Sequence, residues 1–239
     1  MSRRYVSAEQ IDAVLPLKTW WAVLVVLPLS RRLIRFAVNQ TCWTPNAVTL
    51  TGIFLRSLTA LLFLWGTRCG FAMGALVYVI AYVCDCTDGA VARLTGKTSD
   101  FGRYLDHISD LLGDILILLA LAWSQQWLAQ PFIWAMVQLH LAECYISYLA
   151  GFALKQHEGQ LGGFVLLRVF NRYRSWWFRR NIKSFLSFPD YTAFVFVLCP
   201  LLGQPKAGLQ WGFWLLLLVV SYTVLSTFAA LHTKGRQFP

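Results

Sequence analysis

Charge is what this sequence has least of. Only 13% of its 239 residues are Asp, Glu, Lys or Arg, against about 25% in a soluble domain. With 57% hydrophobic residues and a mean hydropathy of +0.54, an ordinary water-soluble fold is excluded. Cysteine is sparse and scattered (Cys42, Cys69, Cys84, Cys86, Cys144, Cys199), with no CxxC pair. That excludes a disulfide framework and a zinc ribbon, and leaves small buried hydrophobes. There are four histidines and no HExxH, so a zinc protease is excluded. No internal repeat or low-complexity tract is present. The opening MSRRYVSAEQIDAVLPLKTWW is too polar for a signal-peptide core, so the chain is expected to begin at Met1. The net charge of +10 is spread around the ends of apolar runs. It is therefore read as membrane topology and attraction to anionic lipid, with no nucleic-acid partner.

What is present is apolar length. Runs of roughly 20 apolar residues span a bilayer, and six are expected, at 47–66, 71–94, 104–124, 130–154, 190–203 and 209–231. The first opens with Thr44-Pro45-Asn46, a helix-start signal. The fifth is short and contains Pro200, which predicts a broken or tilted helix. Before them, residues 1–45 carry Arg3, Arg4, Lys18, Arg31, Arg32 and Arg35 around a short apolar run broken by Pro28. Such a segment suits an amphipathic helix lying in the membrane interface. The fold class is therefore an all-α integral membrane protein, with six transmembrane helices and an N-terminal interfacial amphipathic helix. Its domain is expected over 46–232, with a tail at 233–239.

Positive charge sets the orientation. Arg93, Lys97 and Arg103 lie between spans two and three, and a basic loop at 155–186 lies between spans four and five. The opposite side holds only Arg68 and Lys206. Both termini and both charged connections are thus expected in the cytoplasm. In the loop, Phe and Trp alternate with arginines, a pattern for gripping anionic lipid. Within it, Arg168, Arg172 and Arg174 are candidates for a pocket that holds an acceptor phosphate.

The acidic residues are unevenly placed. Of 11 Asp and Glu in the chain, Asp85, Asp88, Asp100, Asp106, Asp110 and Asp114 fall between positions 85 and 114. An ionised carboxylate at the centre of a membrane helix costs about 2.5–3.5 kcal/mol on insertion scales. Asp85 and Asp88 share one helical face, as do Asp106 and Asp110. The intervening Gly96-Lys97 turn predicts that the two helices are antiparallel neighbours, with four carboxylates facing a cavity open to the cytoplasm. Hard cations such as Mg²⁺ or Mn²⁺ favour such oxygen ligands, and two ions about 3.5–4 Å apart clamp a phosphate chain in known two-metal sites. Gly89 and Ala92 leave room for a flat group, and Arg93 is placed to neutralise phosphate charge. Arg56, His140 and Glu143 are further polar residues inside apolar spans and need partners. Arg56 would balance the acidic cluster or reach outward. His140 and Glu143 share a face, and their partner is each other, a second subunit or a substrate.

Read together, the residues spell DxxDGxxAR, eight residues, then GxxxDxxxD, with Asp85, Asp88, Gly89, Ala92, Arg93, Gly102, Asp106 and Asp110 at the fixed positions. This resembles the signature of the CDP-alcohol phosphatidyltransferases. The resemblance implies a phosphotransferase for substituted phosphate groups, working in phospholipid synthesis. Such an enzyme moves a phosphoryl-alcohol group, most often phosphatidyl from CDP-diacylglycerol, to an acceptor alcohol and releases CMP. It implies two metal ions on Asp85, Asp88, Asp106 and Asp110, with Asp110 also the general base, and a homodimer. Asn46 and Thr49 at the start of the first span, and Ser99, are similar to nucleotide contacts of the phosphatidylinositol-phosphate synthase branch, beside Gly89, Ala92 and Arg93. Two other readings stand beside it. A CDP-choline or CDP-ethanolamine transferase acting on diacylglycerol inverts the lipid role. A cation transporter would use the acidic cluster as its ion site, but predicts carboxylates at the midplane and repeat symmetry.

Overall fold

In the computed structural model, residues 6–15, 19, 21–39, 43–155 and 187–232 are described. Among them every regular element is helical. Helix α1 is Ala8–Val14, opened by a capping box in which Ser7 Oγ accepts from the Gln10 amide and the Gln10 side chain accepts from the Ser7 amide. Helix α2 is Leu27–Asn39, entered through a wide turn at Ala22–Val26. Arg31 holds Asp12 with Nε and a terminal nitrogen at 2.9 and 3.0 Å, tying α2 to α1. The buried positions of α2 (Leu27, Ser30, Ile34, Ala37) recur at helical spacing and form one face. That face packs on α4, Arg68–Thr95.

Helices occupy all six stretches expected to be apolar spans. Besides α4 these are α3 (Pro45–Leu64), α5 (Asp100–Ser124), α6 (Pro131–Lys155), α7 (Phe188–Leu201) and α8 (Pro205–His232). Three, at Pro45–Leu64, Arg68–Thr95 and Pro205–Phe228, are long and apolar enough to cross a membrane, and α7 is a shorter apolar helix. Leu50, Phe54 and Leu61 stay exposed on α3, as do Trp211, Trp214, Leu218 and Leu225 on α8. Apolar outward faces of this kind suit lipid as the solvent.

Thr44 caps α3, its hydroxyl accepting from the Ala47 amide at 3.2 Å, and Pro45 takes the first helical position, where its missing N–H costs nothing. Helix α4 ends at Gly96, whose φ of +69° is the left-handed closure that only glycine adopts freely. Ser99 then caps α5. The wide turns at Ala22–Val26 and Ala193–Leu198 each lie just before a proline, Pro28 or Pro200. A proline ring removes one backbone bond and crowds the preceding turn, which opens by one residue. The expected break in the fifth span is thus a widened turn within a continuous helix.

One expectation holds in part. The carboxylates of α4 and α5 do face each other, but the two helices do not pack closely along their length; both lie extensively against α3. The reason is visible at the level of side chains. The carboxylates of α4 and α5 need a cation between them, and α3 brings Arg56 into that gap. The main apolar core lies elsewhere, where Phe63, Tyr78, Leu118, Leu121, Met136, Tyr191, Phe196 and Leu216 pack from α3 to α8.

Candidate active site

Asp85 on α4 and Asp106 and Asp110 on α5 converge. One carboxylate oxygen from each lies within 4.8 Å of the others. Three hard oxygen donors at this spacing fit a divalent cation such as Mg²⁺ or Mn²⁺. Asp88, the fourth expected ligand, is engaged differently. Its Oδ2 accepts from Thr49 Oγ1 at 2.6 Å and its Oδ1 from the Gly89 amide. The Thr49 bond crosses from α3 to α4 and is buried.

Arg56 supplies the counter-charge. Its side chain is 6% exposed, and its terminal nitrogen lies 2.7 Å from Asp110 Oδ1 and 3.6 Å from Asp85 Oδ1. Nε lies 3.8 Å from Asp114 Oδ1, and the same Asp114 oxygen accepts from the Tyr78 hydroxyl at 3.1 Å. Of the two readings the sequence allowed for Arg56, the structure shows the first. A buried cation among three carboxylates lowers the cost of keeping them together. Gly113 makes this approach possible: a Cβ there would sit 2.5 Å from Arg56 Cδ. Gly113→Ala is therefore expected to push Arg56 off Asp110 and to cost about 1–3 kcal/mol of stability, the range for overpacking a filled site. The unfolding midpoint of the purified protein in detergent checks this; an unchanged midpoint would show that Arg56 has room to spare.

The residues expected at a nucleotide fall into two places. Asn46 and Ser99 meet at the start of α5, where a Cβ on Gly102 would lie 3.0 Å from Ser99 Oγ and 3.5 Å from Asn46 Oδ1. Thr49 lies one turn further along α3, on Asp88. Gly89 and Arg93 form the second place. The flat group against Gly89 is the guanidinium of Arg93 itself, whose terminal nitrogens would be 3.2 and 3.3 Å from a Cβ at 89. Arg93 Nε donates to the Val14 carbonyl at 2.9 Å, so the end of α1 orients it. Ala92 is half-buried beside it. Arg168, Arg172 and Arg174 lie outside the described residues.

The structure also brings in residues whose partners the sequence left open. A cavity of about 370 Å³ is lined by Asp85, Asp110 and Asp114 and also by His140 and Glu143 of α6 and Phe188 of α7. His140 and Glu143 do not pair with each other. His140 Nδ1 lies 2.8 Å from the Met136 carbonyl, and Glu143 Oε1 lies 2.9 Å from Ser147 Oγ and 3.2 Å from Thr223 Oγ1. Their shared face was legible; that it opens onto the same cavity as the aspartates was not, because that depends on how α6 packs on α5.

Comparison with known proteins agrees with this geometry. A stretch is 34% identical over 79 residues to archaetidylinositol phosphate synthase of Pyrococcus horikoshii, covering 33% of this chain and 40% of that protein. A longer match, 24% over 198 residues, covers 82% of this chain and 35% of the bifunctional IPC transferase and DIPP synthase of Archaeoglobus fulgidus. The chain thus spans less than half the length of these relatives. Among solved structures, Mycobacterium tuberculosis phosphatidylinositol phosphate synthase in complex with manganese and citrate superposes with a TM-score of 0.51 at 25% identity, over 87% of this chain and 88% of that one. The same enzyme with CDP-DAG bound gives 0.51 at 23% identity, over 88% and 93%. The family model for CDP-alcohol phosphatidyltransferase matches residues 42–231. With four-fifths of its length so matched and its carboxylates gathered as described, the chain belongs to the CDP-alcohol phosphatidyltransferase family.

Proposed function

We propose that this protein transfers a phosphatidyl group from CDP-diacylglycerol to an acceptor alcohol, releasing CMP. The observation that carries the reading is the convergence of Asp85, Asp106 and Asp110 from two helices whose sequence is DxxDGxxAR followed by GxxxDxxxD. A solved relative is in complex with manganese and citrate, which supports a divalent cation in this chain as well. In this chain Asp85, Asp106 and Asp110, joined by Asp88, would hold two Mg²⁺ or Mn²⁺ ions. Bound there, they would neutralise charge on the pyrophosphate and on the departing CMP.

The remaining steps belong to the chain's own groups. Asp110 takes the proton of the acceptor hydroxyl. The acceptor oxygen forms a bond to the lipid-side phosphorus, and the bond from that phosphorus to the bridging oxygen breaks, so CMP leaves with that oxygen. Arg93, oriented by α1, and Asn46 and Ser99, both beside Gly102, are assigned to the nucleotide and its phosphates, with Thr49, Gly89 and Ala92 shaping that side. Arg168, Arg172 and Arg174 are assigned to a phosphate on the acceptor where it carries one. The domain is taken as 46–232, crossing the membrane six times, with an interfacial segment at 1–45 and a tail at 233–239. Both termini and the site face the cytoplasm, where nucleotide and polar acceptor are dissolved, and the protein works as a homodimer.

The test is CMP release from CDP-diacylglycerol by purified protein in detergent. Chelation by EDTA is expected to remove at least 99% of the activity, and Mn²⁺ or Mg²⁺ to restore it. Release that survives complete chelation would overturn the metal-dependent reading.

A further inference from the structure

Arg93 ends the DxxDGxxAR stretch and is exposed, yet its side chain is anchored. Its Nε donates to the Val14 carbonyl at 2.9 Å, a bond between residues 79 apart in the chain. With Nε engaged, the donors of the two terminal nitrogens remain, and among the described residues these hold no protein oxygen. A guanidinium edge of this kind matches two oxygens of one phosphate. The backbone of α1 therefore fixes the direction in which Arg93 presents that edge.

Helix α1 has seven residues, fewer than an isolated helix needs to persist in water. Its place must come from contacts. Ile11, which is fully buried, and Leu15 belong to one apolar cluster with Ala90 of α4. Ala90 lies inside the signature, one turn before Arg93. Leu27 and Ile34 of α2 belong to the same cluster, so α1, α2 and the signature helix share one small core. Arg31 of α2 then grips both oxygens of Asp12, Nε at 2.9 Å from one and a terminal nitrogen at 3.0 Å from the other. That is the bidentate form of the pair, which fixes direction as well as distance.

We infer that the N-terminal helix is part of the donor site, and that Arg31 and Asp12 are positioning residues for it. They hold α1 against α4, and the Val14 carbonyl at its end aims Arg93 at a phosphate of the nucleotide-linked donor. An arginine without this anchor is ordered only when the donor binds. Ordering one long side chain on binding weakens affinity by about three- to tenfold. The inference rests on the phosphatidyl-transfer reading.

The experiment is a steady-state assay of CMP release from CDP-diacylglycerol with Mn²⁺ and a reactive acceptor. Arg31→Glu sets like charges together, and Arg31→Lys keeps the attraction. In Arg31→Glu, KM for CDP-diacylglycerol and the inhibition constant of CMP are expected to rise about three- to tenfold, while KM for the acceptor stays within twofold. Arg31→Lys is expected within twofold of wild type in all three. Ile11→Ala loosens α1 without changing charge and is expected to follow Arg31→Glu, so it carries the test if the charge reversal fails to fold. In an Arg93→Lys background, which removes Nε, Arg31→Glu is expected to add nothing to the donor KM. A general loosening of structure would still add its full effect there. An unchanged donor KM in the folded variants, or an effect of Arg31→Glu that persists undiminished beside Arg93→Lys, would overturn the positioning role while leaving the transfer reading intact. Wild-type protein that releases no CMP with any acceptor would overturn both.

Discussion

Asp110→Asn is expected to lower turnover by about 10²–10⁴-fold, the usual contribution of a positioned general base, while the protein stays folded and keeps its donor. Asparagine fills the same volume, so α5 has no reason to repack. It cannot take the proton of an attacking hydroxyl, and it is a poorer ligand for a hard cation. Arg56 loses its 2.7 Å partner but keeps Asp85 and Asp114 nearby, which limits the structural cost. The measurement is kcat alongside retention of CDP-diacylglycerol in a binding assay. Asp100→Asn is the control. Asp100 is exposed and paired with Arg103 on the outer surface of α5, and activity there should stay within twofold. Near-normal turnover in Asp110→Asn would remove it as the base.

Arg56→Met is the second large effect. Removing one member of a buried ionic group costs about 3–5 kcal/mol because the partners keep their charge. Here Asp85, Asp110 and Asp114 would lose a shared cation, although Asp110 is 35% exposed and water screens part of its share. A fall of several degrees in the unfolding midpoint is expected. Mn²⁺ should raise the variant's midpoint more than the wild type's, since a bound cation replaces the missing charge and stabilises by mass action. Arg56→Lys should fall between the two, because an ammonium lacks the planar reach to touch several carboxylates at once. A variant as stable as wild type would mean that the carboxylates do not depend on Arg56.

Much of this site is written in local spacing. Asp85 with Asp88, and Asp106 with Asp110, share helical faces at any packing angle, and the Thr44, Ser99 and Gly96 signals set helix ends through their own backbone chemistry. These were legible because they depend on neighbours in the chain. Two of the assignments that needed the structure depend on α3. Its position between α4 and α5 decides that Arg56 lies on Asp110 and that Thr49 takes an oxygen of Asp88. No periodicity in the sequence reports that placement. A charged residue inside an apolar span did mark Arg56 as one needing a partner, and Gly113 facing it could be explained only once the contact was seen. Likewise the i, i+3 spacing of His140 and Glu143 showed a common face, but not which cavity it lines.

The central claim is a transfer in which the lipid-side phosphate moves and CMP leaves. It is tested most directly with CDP-diacylglycerol carrying ³²P in the phosphate next to the diacylglycerol, given to purified protein with Mn²⁺ and a reactive acceptor. The label is predicted to appear entirely in a new phospholipid containing the acceptor, with unlabelled CMP released in equal amount. Labelled phosphate in the nucleotide product, or no acceptor-dependent lipid at all, would contradict it.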